Sequence, residues 1–466
     1  MIESGDAVSM GTKTYAPLSV FIRSYPCSSV FQRFTPRLTP HRPRDNLAPL
    51  MKVIVLGAGV AGVACAWYLW RDGHEVTVVE RNEGVGLETS FANGGQLSYS
   101  YVAPLASPSV IPKIPPWLMR RDSPLRFRPE IDPDQWRWCL EFLAACNQRT
   151  ADVSTERLLR LAFYSRDLMH ELVRSHAIDF DYVQNGKLVV HTRRESFEAA
   201  RRLMDFQRAL GAEQRALTAA ESVALEPALE DMAARICGAI HTPSEDLGDT
   251  YKFCNELKRL MTTGANPVTY RFGAEVQRLL PWRGRLMGVE TSQGVLEADA
   301  YVLALGTNAP YLLKPLGIRV PVYPLKGYSL SLPVTDERGA PRISVTDYQR
   351  KVVYARIGDE LRVAGMADLA GRRAGIDAER VAQLVDEVKA TFPRSTDFRT
   401  LRPWCGMRPA TPRGTPVLGA TPHANLWLDV GHGALGFTLA LATGRVVADL
   451  ASGRTPAVPL DGFTLN

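Results

Sequence analysis

The sequence predicts an α/β protein with two sheets, one parallel and the other mainly antiparallel and belonging to a second domain. Three observations support this prediction. The β-branched run Lys52–Leu56 leads without a break into a glycine-rich turn and a helix-like stretch at 63–70. A second such run, at 74–80, ends on an acid, and a fully apolar run at 300–305 is followed by a glycine. Short apolar runs that alternate with helices are typical of buried parallel strands.

The glycine-rich turn has the spacing that binds the pyrophosphate of a dinucleotide. Gly57 permits a tight turn, Gly59 lets backbone N–H groups approach the phosphates, and Gly62 lets the helix pack closely on the strand. The helix N-terminus supplies partial positive charge, and Glu80 stands where a carboxylate accepts hydrogen bonds from ribose hydroxyls. Strand, spacing and acid together favour a Rossmann-like dinucleotide site over a glycine-rich turn in an unrelated α/β protein.

The residues that follow Glu80 distinguish FAD from NAD. Residues 81–86 form a polar turn, and residues 89–96 are rich in small side chains and hydrogen-bond donors. In a nicotinamide enzyme the second strand normally leads into another crossover helix, whereas here a second donor-rich loop follows, where an isoalloxazine ring could sit. The sequence therefore favours FAD.

The middle of the chain alternates between helical and strand-like patterns. Helices are predicted at 135–147, 154–173, 195–210, 217–226 and 250–262, and strands at 180–191, 238–242 and 267–272. Residues 276–280 and 285–291 are predicted to form a hairpin with Gly284 in its turn, and residues 295–298 to open another. We expect the run at 300–305 to be the last parallel strand of the first sheet.

The last third of the chain predicts the second sheet and a return to the first. Strands at 328–332, 352–357 and 361–365 alternate as in an antiparallel sheet, and a helix at 378–392 is expected to cover them. The chain then closes with a strand, a glycine turn and a helix over residues 426–451.

This order of elements predicts a discontinuous domain organisation. Residues 51–104, 236–319 and 402–466 are assigned to the FAD-binding domain, and residues 105–235 and 320–401 to a substrate domain. Residues 1–50 are rich in proline, arginine and serine without apolar periodicity, so we expect a disordered tail, with a targeting peptide as the alternative.

Composition excludes several classes of protein. The 466 residues are 45% hydrophobic and 22% charged, as in a globular protein, and much of the net charge of +6 lies in the first 50 residues, so nucleic-acid binding is not expected. The seven cysteines are dispersed, which favours a reducing cytoplasm, and no metal-ligand spacing is present. No run reaches 18 consecutive apolar residues, and the longest candidate, 434–442, is too short to span a membrane, although peripheral membrane contact remains open.

Seven motifs, spread from residue 51 nearly to the end, share a family resemblance. They are the glycine fingerprint, residues 89–96, Ser-Glu-Asp-Leu-Gly-Asp at 244–249, Tyr-Pro-Leu-Lys-Gly-Tyr-Ser at 323–329, Val-Ala-Gly-Met at 363–366, Trp-Cys-Gly-Met-Arg-Pro at 404–409 and Gly-His-Gly-Ala-Leu-Gly-Phe at 431–437. With them the chain resembles the FAD-dependent amine and amino-acid oxidoreductases, a family that includes D-amino-acid oxidase and glycine oxidase, and most closely its D-amino-acid dehydrogenase branch (small subunit). Arg413 stands where the family usually has an acid, and Phe437 where it often has tryptophan.

The resemblance implies a reaction. A D-amino acid would transfer its Cα hydride to flavin N5 and yield a 2-oxo acid and ammonia, in amino-acid catabolism, with the electrons passed to a quinone or another acceptor rather than to NAD. We expect a cytoplasmic protein, and peripheral contact with the inner face of the membrane stays an open alternative. The alternatives are a glycine or sarcosine oxidase or a hydroxyproline dehydrogenase of the same fold, and a non-catalytic FAD-bearing subunit; the oligomeric state is not predicted.

FAD is expected to be bound without a covalent bond, since no residue is clearly placed to attach it. The residues that the fingerprint and the resemblance assign to it are Val55, Gly57, Gly59, Val60, Ala61, Gly62, Glu80, Arg81, Ser90, Asn93, Gly94, Gly95, Gln96, Val276, Gly306, Gly431, Gly433, Leu435, Gly436, Phe437 and Thr438. Phe437 is the one expected at the edge of the flavin.

Three residues are expected to bind the substrate. Arg408 resembles the family's carboxylate-binding arginine, and a planar guanidinium suits a carboxylate; the alternative is a structural salt bridge. Tyr328 would bond the same carboxylate, or be a half-buried structural tyrosine. His432, between two glycines, is interpreted as a turn residue or flavin contact rather than a general base.

Overall fold

The computed structural model describes residues 49–115, 123–264, 266–373 and 375–465. The prediction of a disordered tail falls almost wholly outside these ranges. The described strands are β1 (Lys52–Leu56), β2 (Glu75–Val79), β3 (Gln96–Leu97), β4 (Leu125–Phe127), β5 (Lys187–His191), β6 (Arg215–Leu217), β7 (Gly238–Thr242), β8 (Asp246–Leu247), β9 (Thr269–Arg271), β10 (Val276–Trp282), β11 (Arg285–Thr291), β12 (Gly294–Leu296), β13 (Ala300–Leu303), β14 (Tyr323–Pro333), β15 (Ser344–Asp347), β16 (Val352–Ile357), β17 (Glu360–Leu369), β18 (Arg402–Ala410), β19 (Val417–Ala420) and β20 (Leu426–Val430). The described helices are α1 (Val60–Arg71), α2 (Pro133–Ala145), α3 (Gln148–Ser175), α4 (Arg194–Ala209), α5 (Ala219–Leu225), α6 (Thr250–Thr263), α7 (Ala309–Leu313), α8 (Ala378–Thr391) and α9 (Gly436–Ala451).

The first sheet is parallel except at one edge. Its order is β19-β20-β13-β1-β2-β9, and only β19 runs antiparallel to its neighbour. Buried β-branched and leucine side chains fill both faces of its central strands, which explains why these strands carry continuous apolar runs. The parallel sheet predicted from 52–56, 74–80 and 300–305 is confirmed. The prediction that 300–305 is the last parallel strand is wrong, because β20 pairs in parallel beside β13.

The second sheet is mainly antiparallel. Its order is β18-β14-β17-β16-β15-β5-β7-β6, and β4 adds to β17. The antiparallel strands predicted at 328–332, 352–357 and 361–365 are β14, β16 and β17. Strand β17 pairs with both of the others, and α8 covers them. The predicted α/β fold with two kinds of sheet is therefore confirmed.

Two strands join the second sheet although the sequence assigned their segments to the first domain. All five residues of β7 pair with β5, and nine residues of β18 pair with β14. A fully buried strand such as β7 has the same apolar pattern in either sheet, so its sequence does not reveal its partner. Strand pairing therefore places these two segments in the second sheet rather than in the first.

The predicted helices are present with ends that differ by a few residues. The short helix predicted at 217–226 is α5, and Thr218 closes it with a capping box: its hydroxyl accepts from Glu221 N while the Glu221 carboxylate accepts from Thr218 N. The strand predicted at 180–191 is regular only over β5, because Asp181 and Gly186 both have positive φ.

Helix α9 is the centre of the first core. It packs against α1 so closely that a Cβ at Gly444 would lie 2.7 Å from the backbone carbon of Ala64. Helix α3 packs on its other side, where Ser165 Oγ accepts from Ala442 N, although the sequence placed α3 in the substrate domain. With the short turn before α9, residues 433–451 are long and apolar enough to span a membrane, contrary to the sequence expectation, but 72% of that stretch is buried within the protein. We interpret α9 as a core helix.

Candidate active site

The glycine-rich turn after β1 is set by backbone sterics. Gly57 has φ +103°, and a Cβ on it would lie 2.7 Å from Ala304 O, the carbonyl that follows β13. A Cβ on Gly62 would lie 1.9 Å from Gly57 O. A side chain at Gly57 would push the turn away from the end of β13, and one at Gly62 would push α1 away from the turn, as expected from the sequence. By contrast, a Cβ on Gly59 would meet only Ser90 Oγ, at 3.7 Å.

The N-terminus of α1 is free to bind an anion. Gly59 caps the helix without a side-chain hydrogen bond, and the first turn holds no acidic residue. Val60 N donates to Ser90 Oγ over 3.1 Å, so the predicted loop 89–96 reaches this helix end. The helix dipole and its unpaired N–H groups favour a phosphate here.

Glu80 lies beside this turn and is 8% exposed. Its carboxylate accepts from Ala58 N over 2.8 Å and from Asn82 N over 2.9 Å. Its backbone oxygen accepts from Ala274 N, which brings the start of β10 at Val276 to the same end of the sheet. Arg81 instead faces outward and forms an exposed ion pair with Glu88, so the structure gives it no evident part in the turn.

We expect Glu80→Ala to weaken FAD binding by about 1 to 3 kcal/mol, the range for a lost hydrogen bond to a charged acceptor. Glu88→Ala removes an exposed acid from the same segment and should leave the affinity unchanged. Titration of the apoprotein with FAD, followed by the quenching of flavin fluorescence, measures both variants. Equal affinities for Glu80→Ala and the parent would contradict the ribose assignment.

Loop 89–96 rests on the second sheet through backbone and side-chain contacts. Ser329 Oγ donates to Ala92 O over 2.5 Å, and Arg362 Nη1 donates to Asn93 O over 3.1 Å. Gly95 has φ +66°, and a Cβ on it would lie 2.5 Å from Ile357 Cδ1. A Cβ on Gly94 would lie 3.1 Å from Val353 Cγ2. The loop is therefore pinned between the two sheets.

The second glycine turn, residues 431–436, reaches the same place from the end of β20. Gly431 and Gly433 have φ of +84° and +57°, and Gly436 lies against Val60, whose Cγ1 would be 4.0 Å from a Cβ there. Thr438 Oγ1 accepts from Ser98 N over 3.0 Å. Leu435 N donates to the backbone oxygen of His432, and this hydrogen bond closes the turn.

Gly306 and Phe437 complete the predicted cofactor residues. Gly306 follows β13 with φ +50°, and a Cβ on it would lie 4.0 Å from Pro409 Cγ. Phe437 is 5% exposed and its ring packs on Phe253, with ring centroids 5.3 Å apart. Its expected place at the flavin edge is not supported, because the side chain belongs to the core.

These features fit a dinucleotide. Two helix N-termini, a buried carboxylate and two glycine turns converge on one edge of the parallel sheet. The residues that would hold FAD are those of the turn 57–62, Glu80, the loop 89–96, the turn 431–436 and Thr438. When bound there, FAD supplies a two-electron hydride acceptor.

Arg408 lies on the face of the second sheet that loop 89–96 covers. Along β14, Gly327, Ser329 and Ser331 share this face, and the Arg408 guanidinium occupies the space over Gly327, where a Cβ would lie 2.3 Å from Nη2. Nη1 donates to Met366 O over 2.8 Å. Met366 has φ +59° at an irregularity of the β14–β17 pairing, so this bulge turns the carbonyl toward the arginine.

The Arg408 guanidinium can bind an anion. Among the residues that the structure describes, no carboxylate lies within ion-pair distance of it. Burial lowers the pKa of Arg408 to about 10, which Asp368 partly opposes, so the group remains charged at neutral pH. A buried cation without a carboxylate partner favours a ligand that brings one.

Tyr328 lies on the opposite face of the sheet. Its hydroxyl donates to Asp368 Oδ2 over 3.0 Å, and Asp368 also pairs with Arg380 and Arg126. The expectation that Tyr328 and Arg408 bind the same carboxylate is wrong, because alternate residues of β14 point to opposite faces. Tyr328 is a buried structural tyrosine.

His432 also has a structural place. Its ring is buried, with Nε2 3.1 Å from Thr443 Oγ1 and 3.0 Å from Asp429 Oδ1. Cys65 Sγ donates to the other oxygen of Asp429. The prediction of a substrate contact is not supported, because the ring is directed into the core beneath α9.

Lys187 is a site residue that the sequence reasoning missed. It is 2% exposed, and its Nζ donates to Gln96 Oε1 over 2.7 Å and to Ser98 Oγ over 2.8 Å. Burial lowers its pKa to about 8, and burial raises the pKa of nearby Glu245 to about 7. A lysine directly before three apolar residues of a strand was the available signal.

The parallel sheet, the open helix N-termini and the arginine on the facing sheet together define a two-sheet FAD-binding oxidoreductase. The family model for FAD dependent oxidoreductase (DAO) matches residues 52–450, so the chain belongs to this family. The predicted FAD dependence and the predicted family are confirmed by this match.

Named relatives cover nearly all of the described chain. It is 49% identical over 424 residues to "D-amino acid dehydrogenase 2" of Ralstonia nicotianae, covering 89% of this chain and 100% of that protein. It is 46% identical over 417 residues to the "D-amino acid dehydrogenase" of Paramagnetospirillum magneticum, covering 89% of this chain and 98% of that protein. Among solved structures, glycine oxidase from Geobacillus kaustophilus superposes with a TM-score of 0.72 at 22% identity, over 89% of this chain and 98% of that one, which shows a shared fold.

Proposed function

We propose that this protein oxidises D-amino acids to 2-oxo acids and ammonia and passes the electrons to a quinone. The observation that carries the proposal is the charged Arg408 on the sheet face that loop 89–96 covers, which has no carboxylate of the described residues within ion-pair distance. A guanidinium holds a carboxylate through two parallel hydrogen bonds. The relatives named D-amino acid dehydrogenase support the choice of substrate.

The chain's residues would bind and orient the substrate. Arg408 would hold the α-carboxylate, while Gly327 and the Met366 carbonyl fix the guanidinium in place. Holding a reactant in one orientation removes much of the entropic cost of reaction. The N-terminus of α9, which has no acid in its first turn, would stabilise negative charge that develops near it.

The handedness of the substrate tests this proposal. A site that holds the carboxylate at one point and closes one side of the molecule accepts the Cα hydride from one enantiomer only. D-Alanine and apolar D-amino acids should bleach the flavin without oxygen, and their L-forms should not. Equal bleaching by both enantiomers would contradict the geometry, and reaction with glycine or sarcosine alone would identify the alternative enzyme.

The electron acceptor and the cellular location belong to the same proposal. Helix α2 exposes Trp136, Leu140 and Leu143, which are spaced to lie along one side of it. Such an apolar stripe suits contact with a membrane surface that contains quinone. The six described cysteines are unpaired thiols, which suits the cytoplasm. Turnover with D-alanine should then reduce a quinone faster than oxygen, and the protein should float with lipid vesicles.

A further inference from the structure

The sheet face that carries Arg408 continues beyond loop 89–96 toward a second group of cations. Gly365 pairs with Val352, Val352 with Asp347, and Asp347 with Val190. Lys351 directly precedes β16, Tyr348 directly follows β15, and His191 is the last residue of β5. These three residues form a row at one end of β16, β15 and β5, in which the side chain of His191 points to the face opposite to that of Val190.

Ring contacts show that the row is continuous. The rings of Tyr348 and His191 have centroids 4.7 Å apart, and Lys351 Nζ lies 3.7 Å from the centre of the Tyr348 ring. Lys113 Nζ approaches the same ring, at 5.9 Å. Two lysines thus converge on one tyrosine.

This row and Arg408 are on the same side of loop 89–96. Gly94 of the loop contacts Val353 and Ala364, which pair across β16 and β17. Strands β14 and β16 run in the same direction, because both are antiparallel to β17. Lys351 lies two residues before Val353, as Gly327 lies two residues before Ser329, so both lie toward the same end of the sheet. Because β17 alone separates β14 from β16, the backbones at Gly327 and Lys351 are about 10 Å apart.

Neither lysine has a carboxylate within ion-pair distance among the described residues. Lys351 also has φ +57°, a conformation that few residues other than glycine adopt. Burial and the charge of Lys113 lower the pKa of Lys351, and Asp347 opposes this shift. Two neighbouring cations that make no ion pair with a described carboxylate favour an anionic ligand.

We propose that Lys351, with Lys113 beside it, binds the side-chain carboxylate of a D-amino acid whose α-carboxylate is held by Arg408. This inference rests on the proposed function and names its substrate class, the acidic D-amino acids. A separation of about 10 Å between the two strand positions suits a molecule with a carboxylate at each end, held by two long basic side chains.

The test compares D-glutamate with its neutral amide, D-glutamine, by dissociation constants from anaerobic flavin reduction. In the parent, D-glutamate should bind about tenfold more tightly, the effect of about 1.4 kcal/mol from a charge-assisted contact. Lys351→Met should bring the ratio close to one and leave D-alanine unchanged. Lys351→Arg should retain the preference, and Lys389→Met, which removes an exposed lysine beside Phe398, should change nothing.

The outcomes separate this inference from the proposed function. Bleaching by D-alanine with equal constants for D-glutamate and D-glutamine would overturn the lysine site alone. No bleaching by any D-amino acid would overturn the proposed function as well. If Lys351→Met is poorly folded, Lys113→Met takes its place in the test. The ratio of the inhibition constants of glutarate and butyrate is then compared between Lys113→Met and the parent, because a dicarboxylate should lose its advantage when one lysine is removed. An unchanged ratio would overturn the inference.

Discussion

Arg408→Met is expected to lower kcat/KM for D-alanine by a factor that corresponds to about 2 to 5 kcal/mol of lost transition-state stabilisation. This is the cost of leaving a buried charge without its partner. Most of the loss should appear as a rise in KM, because the contact is made in both the ground state and the transition state. A further loss in kcat would show that the carboxylate also aligns the reacting carbon. Steady-state kinetics with a dye acceptor measures both terms.

Two further variants separate the charge from its position. Gly327→Ala would place a methyl group 2.3 Å from Arg408 Nη2, so it should displace the guanidinium and raise KM while the charge stays. Arg402→Met removes an exposed arginine from the same strand and should leave both constants unchanged. Full activity in Arg408→Met would refute the carboxylate assignment.

Gly62→Ala is expected to abolish FAD binding and to lower the free energy of unfolding. Overpacking usually costs roughly 1 to 3 kcal/mol, and the loss here should reach or exceed the upper end of that range. The new Cβ would lie 1.9 Å from Gly57 O, a backbone atom of the turn, so α1 must move away from β1. Thermal unfolding and the ratio of flavin to protein absorbance measure the two effects.

Gly59→Ala is the matched comparison. Its Cβ would meet no atom closer than 3.7 Å, and Gly59 has φ −70°, which alanine adopts without strain. The variant should keep the stability of the apoprotein but bind FAD more weakly, because the methyl group faces the place assigned to the phosphates. Equal loss of stability in both variants would contradict the distinct roles given to these glycines.

The sequence predicted the fold well where local patterns determine the structure. The run at 52–56, the glycine spacing and the acid at Glu80 depend on residues close together in the chain, and the structure places them together. The partner of β7 could not be predicted, because a short buried strand carries the same apolar pattern beside any neighbour.

The candidate site shows the same division. The motif containing Arg408 indicated an anion-binding residue, and the structure gives that residue no carboxylate partner among the described residues. Tyr328 was misplaced because a motif does not tell which face of a strand a side chain occupies relative to a distant strand. His432 looked functional between two glycines, but its neighbours Asp429 and Thr443 become visible only when β20 and α9 pack.

The long-range pairing of the parallel sheet also determines when the protein can become functional during its synthesis. Strand β1 pairs early with β2 on one side, but on the other side Val53 pairs with Ala300, and Tyr301 in turn pairs with Leu426, so this edge stays unpaired until hundreds of residues later have been synthesised. The turn 431–438 is made later still. Cofactor capture must therefore follow translation of nearly the whole chain, and a nascent chain halted before β20 would expose unpaired strand edges that favour aggregation.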